Sequence, residues 1–263
     1  MTTEQPVLLR NDGAIAHIRF NRPHVLNALN AEFAHALLDT CKKVAADEKN
    51  RVVVISGEGR AFMSGGDIGS FKSEAAKSSG FFRELIDVFH GALEILAELP
   101  RPVIASLNGP VAGAGLSVAL IADLAVAADD AKFTLAYSRL GTSPDGSSSW
   151  SLPRVVGLRK ALEIALLSDM FDAQEALRLG IVNKVVPAAS LADETEKLAQ
   201  RLAEGPTFAY GQIKQLMRQS HLNMLHEQLA KESDAFVSCS LTKDFAEGVS
   251  AFVDKRAPKF NGS

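Results

Sequence analysis

Short apolar runs alternate with longer amphipathic stretches along most of the chain. Val7-Leu8-Leu9-Arg10 and Ala14-Ile15-Ala16-His17-Ile18-Arg19-Phe20 flank Asn11-Asp12-Gly13. An Asp-Gly pair between alternating flanks predicts a hairpin, closed by Asn21-Arg22-Pro23. Asn30 is suited to cap a helix over 31–47, whose stripe is Phe33, Leu37, Leu38 and Val44. The run 51–57 is nearly all apolar, which predicts a strand covered on both faces. A second amphipathic helix spans 81–99, with Phe82, Ile86, Phe89, Leu93 and Leu96 on one side, and Pro100 and Pro102 stop it.

Strands are expected at 103–107, 124–128, 131–135 and 182–186, with a buried helix at 115–122. The stretch 69–80 is rich in Ser, Lys and Gly and reads as mobile. Helices follow at about 149–156, 159–167 and 173–179. Beyond 186 the pattern is helical throughout, at 191–204, 207–219, 224–238 and 242–252. Strand–strand–helix units recur around 7–47, 51–99 and 103–122, which suggests a repeated α/β core with a helical C-terminal part. No interdomain linker is visible. The division drawn is a core over 1–200 and a helical region over 201–263.

Two turns stand out. Ala61-Phe62-Met63-Ser64-Gly65-Gly66-Asp67 and Asn108-Gly109-Pro110-Val111-Ala112-Gly113-Ala114-Gly115 each run from apolar residues into small ones before a helix. Such turns bare backbone N–H groups, and the helix dipole makes them locally positive. Facing each other, they would form an oxyanion hole with two donors aimed at one oxygen. Gly-rich turns also serve simply to turn the chain, and the residues alone leave both readings open.

Bulk properties narrow the class. At 47% apolar residues the chain can supply a large core and buried subunit contacts, and a net charge of −3 argues against a nucleic-acid binder. Cys41 and Cys239 are too few and too distant for a disulfide framework or a metal–thiolate cluster, which favours a reducing cytoplasm. Residues 1–10 lack the basic-then-apolar pattern of a signal peptide. The apolar run 111–128 is broken by Asp123 and small residues, so it reads as a buried helix and strand rather than a membrane span.

Taken in order, these segments resemble the crotonase superfamily, the enoyl-CoA hydratase/isomerase family. The carrying motifs are Asn21-Arg22-Pro23 with Asn27-Ala28-Leu29, Gly59-Arg60-Ala61-Phe62 through Gly65-Gly66-Asp67-Ile68, and Asn108-Gly109 through Gly113-Ala114-Gly115. Ala131-Lys132-Phe133, Leu140-Gly141, 173–186 and Lys255-Arg256-Ala257-Pro258-Lys259-Phe260 extend the match over nearly the whole chain. The resemblance implies a crotonase (ClpP/crotonase-like) spiral of ββα repeats with a helical C-terminal trimerisation region. It implies a homotrimer or dimer of trimers acting on acyl-CoA thioesters, as in fatty acid metabolism. No separate cofactor or metal is implied, since CoA arrives as part of the substrate.

Site residues carry over by position. Gly66 and Ala114 would supply the two oxyanion-hole N–H groups; Ala at 114 replaces the usual Gly. CoA would lie along His24, Val25, Ser64, Asp67 and Ile68, with His24 giving a weaker phosphate contact than the Lys or Arg often found there. Lys259 and Phe260 either reach a neighbouring subunit's CoA or belong to a solvated tail. Hydratases of the family place glutamates where Ser117 and Tyr137 stand, so the carboxylate and second acid that hydration needs are missing here.

Asp145 remains, in Leu140-Gly141-Thr142-Ser143-Pro144-Asp145-Gly146. This segment resembles that of Δ3,Δ2-enoyl-CoA isomerases and of ring-1,2-epoxyphenylacetyl-CoA isomerases. An ordinary carboxylate is a weak base, so that reading asks for an apolar cleft, with Phe133, Leu140 and Trp150 as candidate walls. Asp145 could also cap the next helix, or act as a nucleophile with His90, as the resemblance to 4-chlorobenzoyl-CoA dehalogenases suggests. A hydratase-like enzyme and a non-catalytic acyl-CoA binder complete the alternatives.

Overall fold

The computed structural model describes residues 5–75 and 80–263. β1 (Val7–Asp12) and β2 (Ile15–Phe20) form the expected hairpin, with Val7 opposite Phe20. α1 (Ala31–Ala46) starts where the Asn30 side chain accepts the Phe33 N–H. β3 (Val52–Gly57) follows, then α2 (Ile68–Ala75) and α3 (Phe81–Glu98). β4 (Val103–Leu107), the short β5 (Pro110–Ala112) and α4 (Ala114–Ile121) make the next unit. β6 (Leu124–Ala128) and β7 (Lys132–Thr134) lead to α5 (Ser148–Val156) and α6 (Leu158–Leu167). β8 (Phe171–Asp172), α7 (Ala173–Arg178) and β9 (Lys184–Val186) precede α8 (Leu191–Ala203), α9 (Thr207–Gln219), α10 (Leu225–Ser240) and α11 (Lys243–Val253).

The stretch 69–80 departs from its expectation. Asp67 accepts the Ser70 N–H and so caps α2, and Phe71 anchors that helix against Phe81 and Phe82. Residues 76–79 of that stretch, read as mobile, lie outside the described residues.

Two sheets carry the spiral. The large one has the order β1-β2-β3-β4-β6-β9, parallel from β2 onward. The small one has the order β5-β7-β8 and is continued by isolated pairings of Met63 with Val111 and of Leu29 with Gly66. Each turn of the chain thus lays one strand in the large sheet and one short extended piece in the second layer. Strand period sorts the faces. Val53 and Ile55 join Phe33, Leu37, Phe89 and Leu96 in the main core, while Val52, Val54 and Ile104 meet Ala199 and Ala203 of α8 on the other side. That two-sided cover explains the nearly unbroken apolar run of β3. Helix α8 crosses residue 200, where the sequence division was drawn.

C-terminal helices attach through half-buried ion pairs and the tail. Asp123, at the foot of β6, receives Lys214 at 2.8 Å and Arg218 at 2.9 Å from α9. Asp244 accepts the N–H groups of Asn261 and Gly262, and Glu247 accepts that of Lys259, so the tail folds back on α11.

Asn27 ties the spiral turns together. It is fully buried, sits at φ 57°, accepts the Arg22 N–H at 2.8 Å, and donates toward the carbonyls of Glu58, Ala61 and Phe62. Asn tolerates this left-handed backbone better than most residues. Asn27→Ala should cost about 3 kcal/mol, because it strands several buried polar groups at once. Urea unfolding of the purified variant measures this.

Candidate active site

The two small-residue turns meet face to face. Met63 N–H donates to Pro110 O at 3.3 Å, and Ala112 N–H to Met63 O at 2.9 Å. Gly113, at φ 50°, lies so close that a Cβ there would be 3.4 Å from the Gly65 Cα. A Cβ on Gly115 would fall 2.2 Å from Met63 O, so the pairing depends on bare backbone. Asp67 N–H and Gly113 N–H are spent on Leu29 O and Thr134 O. Gly66 N–H and Ala114 N–H have no acceptor among the described residues. Ala114 opens α4, where the first N–H groups lack helical partners and the dipole is positive. Chemically, this pair of turns offers donors to an oxygen that gains negative charge.

An aromatic wall borders the first turn, and sequence reasoning missed it. The Phe71 ring packs on Gly66, with ring atoms 2.4–2.5 Å from where a Cβ would sit. Phe71 meets Phe82 edge-on at 5.4 Å and Phe81 at 6.2 Å. The only signal was Phe71 itself, one aromatic in a stretch of Ser, Lys and Gly.

The expected CoA positions fall on two adjoining segments. His24 is exposed and Val25 half-buried on a 3-10 turn, Pro23–Val25. Ser64 N–H donates to Leu26 O, and Leu29 pairs with Gly66, which lays 24–29 beside 63–67. Ile68 is exposed at the start of α2. Asp67 is engaged in holding the fold: its carboxylate takes Arg22 at 3.1 Å and the Ser70 N–H at 3.1 Å. Arg22 also reaches Ala28 O, a structural role the sequence reading did not assign.

Burial alone would raise the Asp67 carboxyl, but the Ser70 N–H and Arg22 outweigh it and hold it below the usual carboxylate range. A group depressed in the folded state contributes stability above its unfolded value, and that contribution is lost as pH falls through the depressed value. Asp67→Asn should therefore narrow the stability gap between neutral and acid solution. Denaturant unfolding at a series of pH values from neutral downward checks this, and an unchanged gap would contradict it.

Asp145 occupies the loop before α5 and is held from several elements. Gly146 N–H donates to His90 Nε2 of α3 at 3.1 Å, so that ring nitrogen serves here as an acceptor. The Asp145 carbonyl accepts the Ser148 hydroxyl at 2.7 Å, and Ser117 lies 2.6 Å from Ser148. The Tyr137 hydroxyl donates to Asp145 Oδ1 at 2.7 Å. Burial, and next the Asp145 carboxylate, push the Tyr137 phenol well above its ordinary value, so it stays a proton donor.

Position 117 is fully enclosed. A Cβ on Gly146 would already lie 3.0 Å from the Ser117 Cβ. A glutamate there would have to displace the loop that carries Asp145.

Of the expected walls of an Asp145 cleft, Trp150 lies on another surface. Phe133 is a core residue of β7 stacked on Phe171 at 5.6 Å. Leu140 is 55% exposed. Trp150 stacks under Arg154 and borders a separate cavity of about 400 Å³ with Asp123 and Arg218. Helical phase explains Trp150: Ser148 and Ser151 of α5 face inward, which turns 150 outward. Phe89 also packs against this loop, its ring 2.9 Å from where a Gly146 Cβ would sit.

Residues 10–263 match the model of one protein family, Enoyl-CoA hydratase/isomerase. The chain belongs to the enoyl-CoA hydratase/isomerase family. Within that family it is 37% identical to the 1,2-epoxyphenylacetyl-CoA isomerase of Escherichia coli (strain K12), covering 97% of this chain and 98% of that one. It is 30% identical to 4-chlorobenzoyl coenzyme A dehalogenase-2 of Arthrobacter sp, covering 96% and 92%. The solved structure of an enoyl-CoA hydratase from Polaromonas sp. JS666 superposes with a TM-score of 0.92 at 33% identity, covering 97% and 99%. The crotonase fold expected from sequence is thereby present. Family members with similar chains carry isomerase, hydratase and dehalogenase names, so the reaction has to be argued from this chain's own residues. No helix among the described residues is long and apolar enough to cross a membrane.

Proposed function

We propose that this acyl-CoA enzyme moves a carbon–carbon double bond into conjugation, converting a 3-enoyl-CoA into its 2-enoyl isomer. CoA lies along His24, Val25, Ser64, Asp67 and Ile68, and the thioester oxygen points at the N–H groups of Gly66 and Ala114. Asp145 removes a proton from C2. The resulting dienolate carries its charge on the thioester oxygen, where two fixed donors lower its energy. Protonated Asp145 then delivers the proton to C4. One mobile proton needs one carboxylate, and no water is consumed.

The observation that carries this reading is the filling of the hydratase positions. Ser117 is enclosed beneath the Asp145 loop, and Tyr137 gives its hydroxyl to Asp145. Neither side chain can activate water as a carboxylate does. The dehalogenase reading, with Asp145 as nucleophile, is weaker, because the nitrogen of His90 that faces the loop is engaged with Gly146 N–H.

The broad exposed apolar surface of the C-terminal helices, including Leu225, Leu229, Phe236, Leu241 and Phe252, supports assembly as a homotrimer or dimer of trimers. Incubation of the wild type with a 3-enoyl-CoA should produce the absorbance of the conjugated thioester. Release of chloride from 4-chlorobenzoyl-CoA without that absorbance change would favour the nucleophile instead.

A further inference from the structure

The two oxygens of Asp145 stand in different surroundings. Oδ1 accepts the Tyr137 hydroxyl at 2.7 Å, whereas Oδ2 has no donor among the described residues. We propose that Tyr137 is a positioning residue that anchors Oδ1 and leaves Oδ2 as the oxygen that takes and returns the substrate proton. The proposal rests on reading Asp145 as the base.

Backbone contacts alone do not orient a carboxylate. Ser148 fixes the Asp145 carbonyl, and His90 receives the next N–H, yet χ1 and χ2 of Asp145 stay free to exchange the oxygens. Tyr137 removes that freedom, and it is itself well held. Its N–H donates to Leu135 O at 2.9 Å, and its ring packs against the main core. Among the described residues, the titratable groups hydrogen-bonded to Asp145 and Gly146 are Tyr137 from the 3-10 turn Tyr137–Leu140 and His90 from α3; α4 and α5 present the neutral Ser117 and Ser148.

The proton inventory closes without another reactant. The C2–H electron pair enters the dienolate as the proton moves to Oδ2. The same proton then leaves Oδ2 for C4, the double bond comes to rest between C2 and C3, and the carboxylate is regenerated. A single oxygen that carries the proton between both carbons implies that deuterium placed at C2 is recovered at C4.

Tyr137→Phe keeps the ring and removes the donor. A carboxylate without that anchor can exchange its oxygens between the two proton transfers, so kcat should fall by about tenfold. Recovery of C2 deuterium at C4 should fall, and KM should stay unchanged. In an Asp145→Asn background, Tyr137→Phe should cause no further loss, since it acts only through Asp145. If the phenylalanine variant unfolds, 3-fluorotyrosine at 137 provides the second test: the stronger donor should raise the recovery of C2 deuterium at C4. A wild type that isomerises, paired with a variant of identical kcat and label transfer, overturns the proposal. A wild type that turns over no 3-enoyl-CoA removes the Asp145 reading instead.

Discussion

Asp145→Asn should slow isomerisation of a 3-enoyl-CoA by about 100- to 10,000-fold, the range a single general acid–base group supplies. The amide keeps the size of the side chain and can still meet the Tyr137 hydroxyl through its oxygen. What it loses is the ability to accept a proton and give it back. Binding of CoA should persist, because the segments assigned to it, 24–25 and 64–68, make none of their bonds to the Asp145 loop. Stopped-flow absorbance of the conjugated thioester, with isothermal titration of CoA alongside, separates the two effects. A variant that isomerises at the wild-type rate would show that Asp145 only shapes its loop.

The second large effect is expected at Ala114→Pro. Ala114 is the first residue of α4, the helical position at which proline is best tolerated, since its fixed φ suits a helix start. The substitution deletes one N–H that has no acceptor among the described residues, so the backbone hydrogen bonds of α4 survive. If that N–H holds the thioester oxygen, kcat should fall by about 100- to 1,000-fold, the loss seen for removal of one oxyanion donor. The ring also places carbon where the donor pointed, so a rise in KM should accompany the fall. Thermal unfolding of the same preparation checks that α4 remains in place. A correctly folded variant with undiminished kcat would mean that Ala114 N–H does not act on substrate.

Much of this architecture is legible in local patterns. Asn11-Asp12-Gly13 marks the hairpin, Asn30 the start of α1, and Pro100 the end of α3, because each acts on its own backbone within a few residues. The helix over 68–75 is less visible: Ser, Lys and Gly argue for a loop, but Asp67 caps it and Phe71 is held by Phe81 and Phe82. Tertiary packing there overrides propensity. β8, Phe171–Asp172, is two residues long and exists only because β7 lies beside it.

The site divides in the same way. The small-residue turns can be read because close backbone approach demands Gly, but which N–H groups remain free depends on pairings with Leu29, Val111 and Thr134 far along the chain. Asp145 is legible as a carboxylate in a distinctive loop. Its partners are not: His90 reaches Gly146 across 56 positions, and Tyr137 lies only 8 residues away but on a turn whose direction local sequence does not set. Trp150 illustrates the converse, since proximity in sequence suggested a wall and helical phase placed it on another surface.

The most direct test of the account compares two reactions of one wild-type preparation. The kcat/KM for isomerisation of 3-hexenoyl-CoA should exceed that for hydration of crotonyl-CoA by about 100-fold or more, because one carboxylate suffices for the first and the second lacks its water-activating group. Hydration of crotonyl-CoA at the greater rate, with little conversion of 3-hexenoyl-CoA, would contradict it.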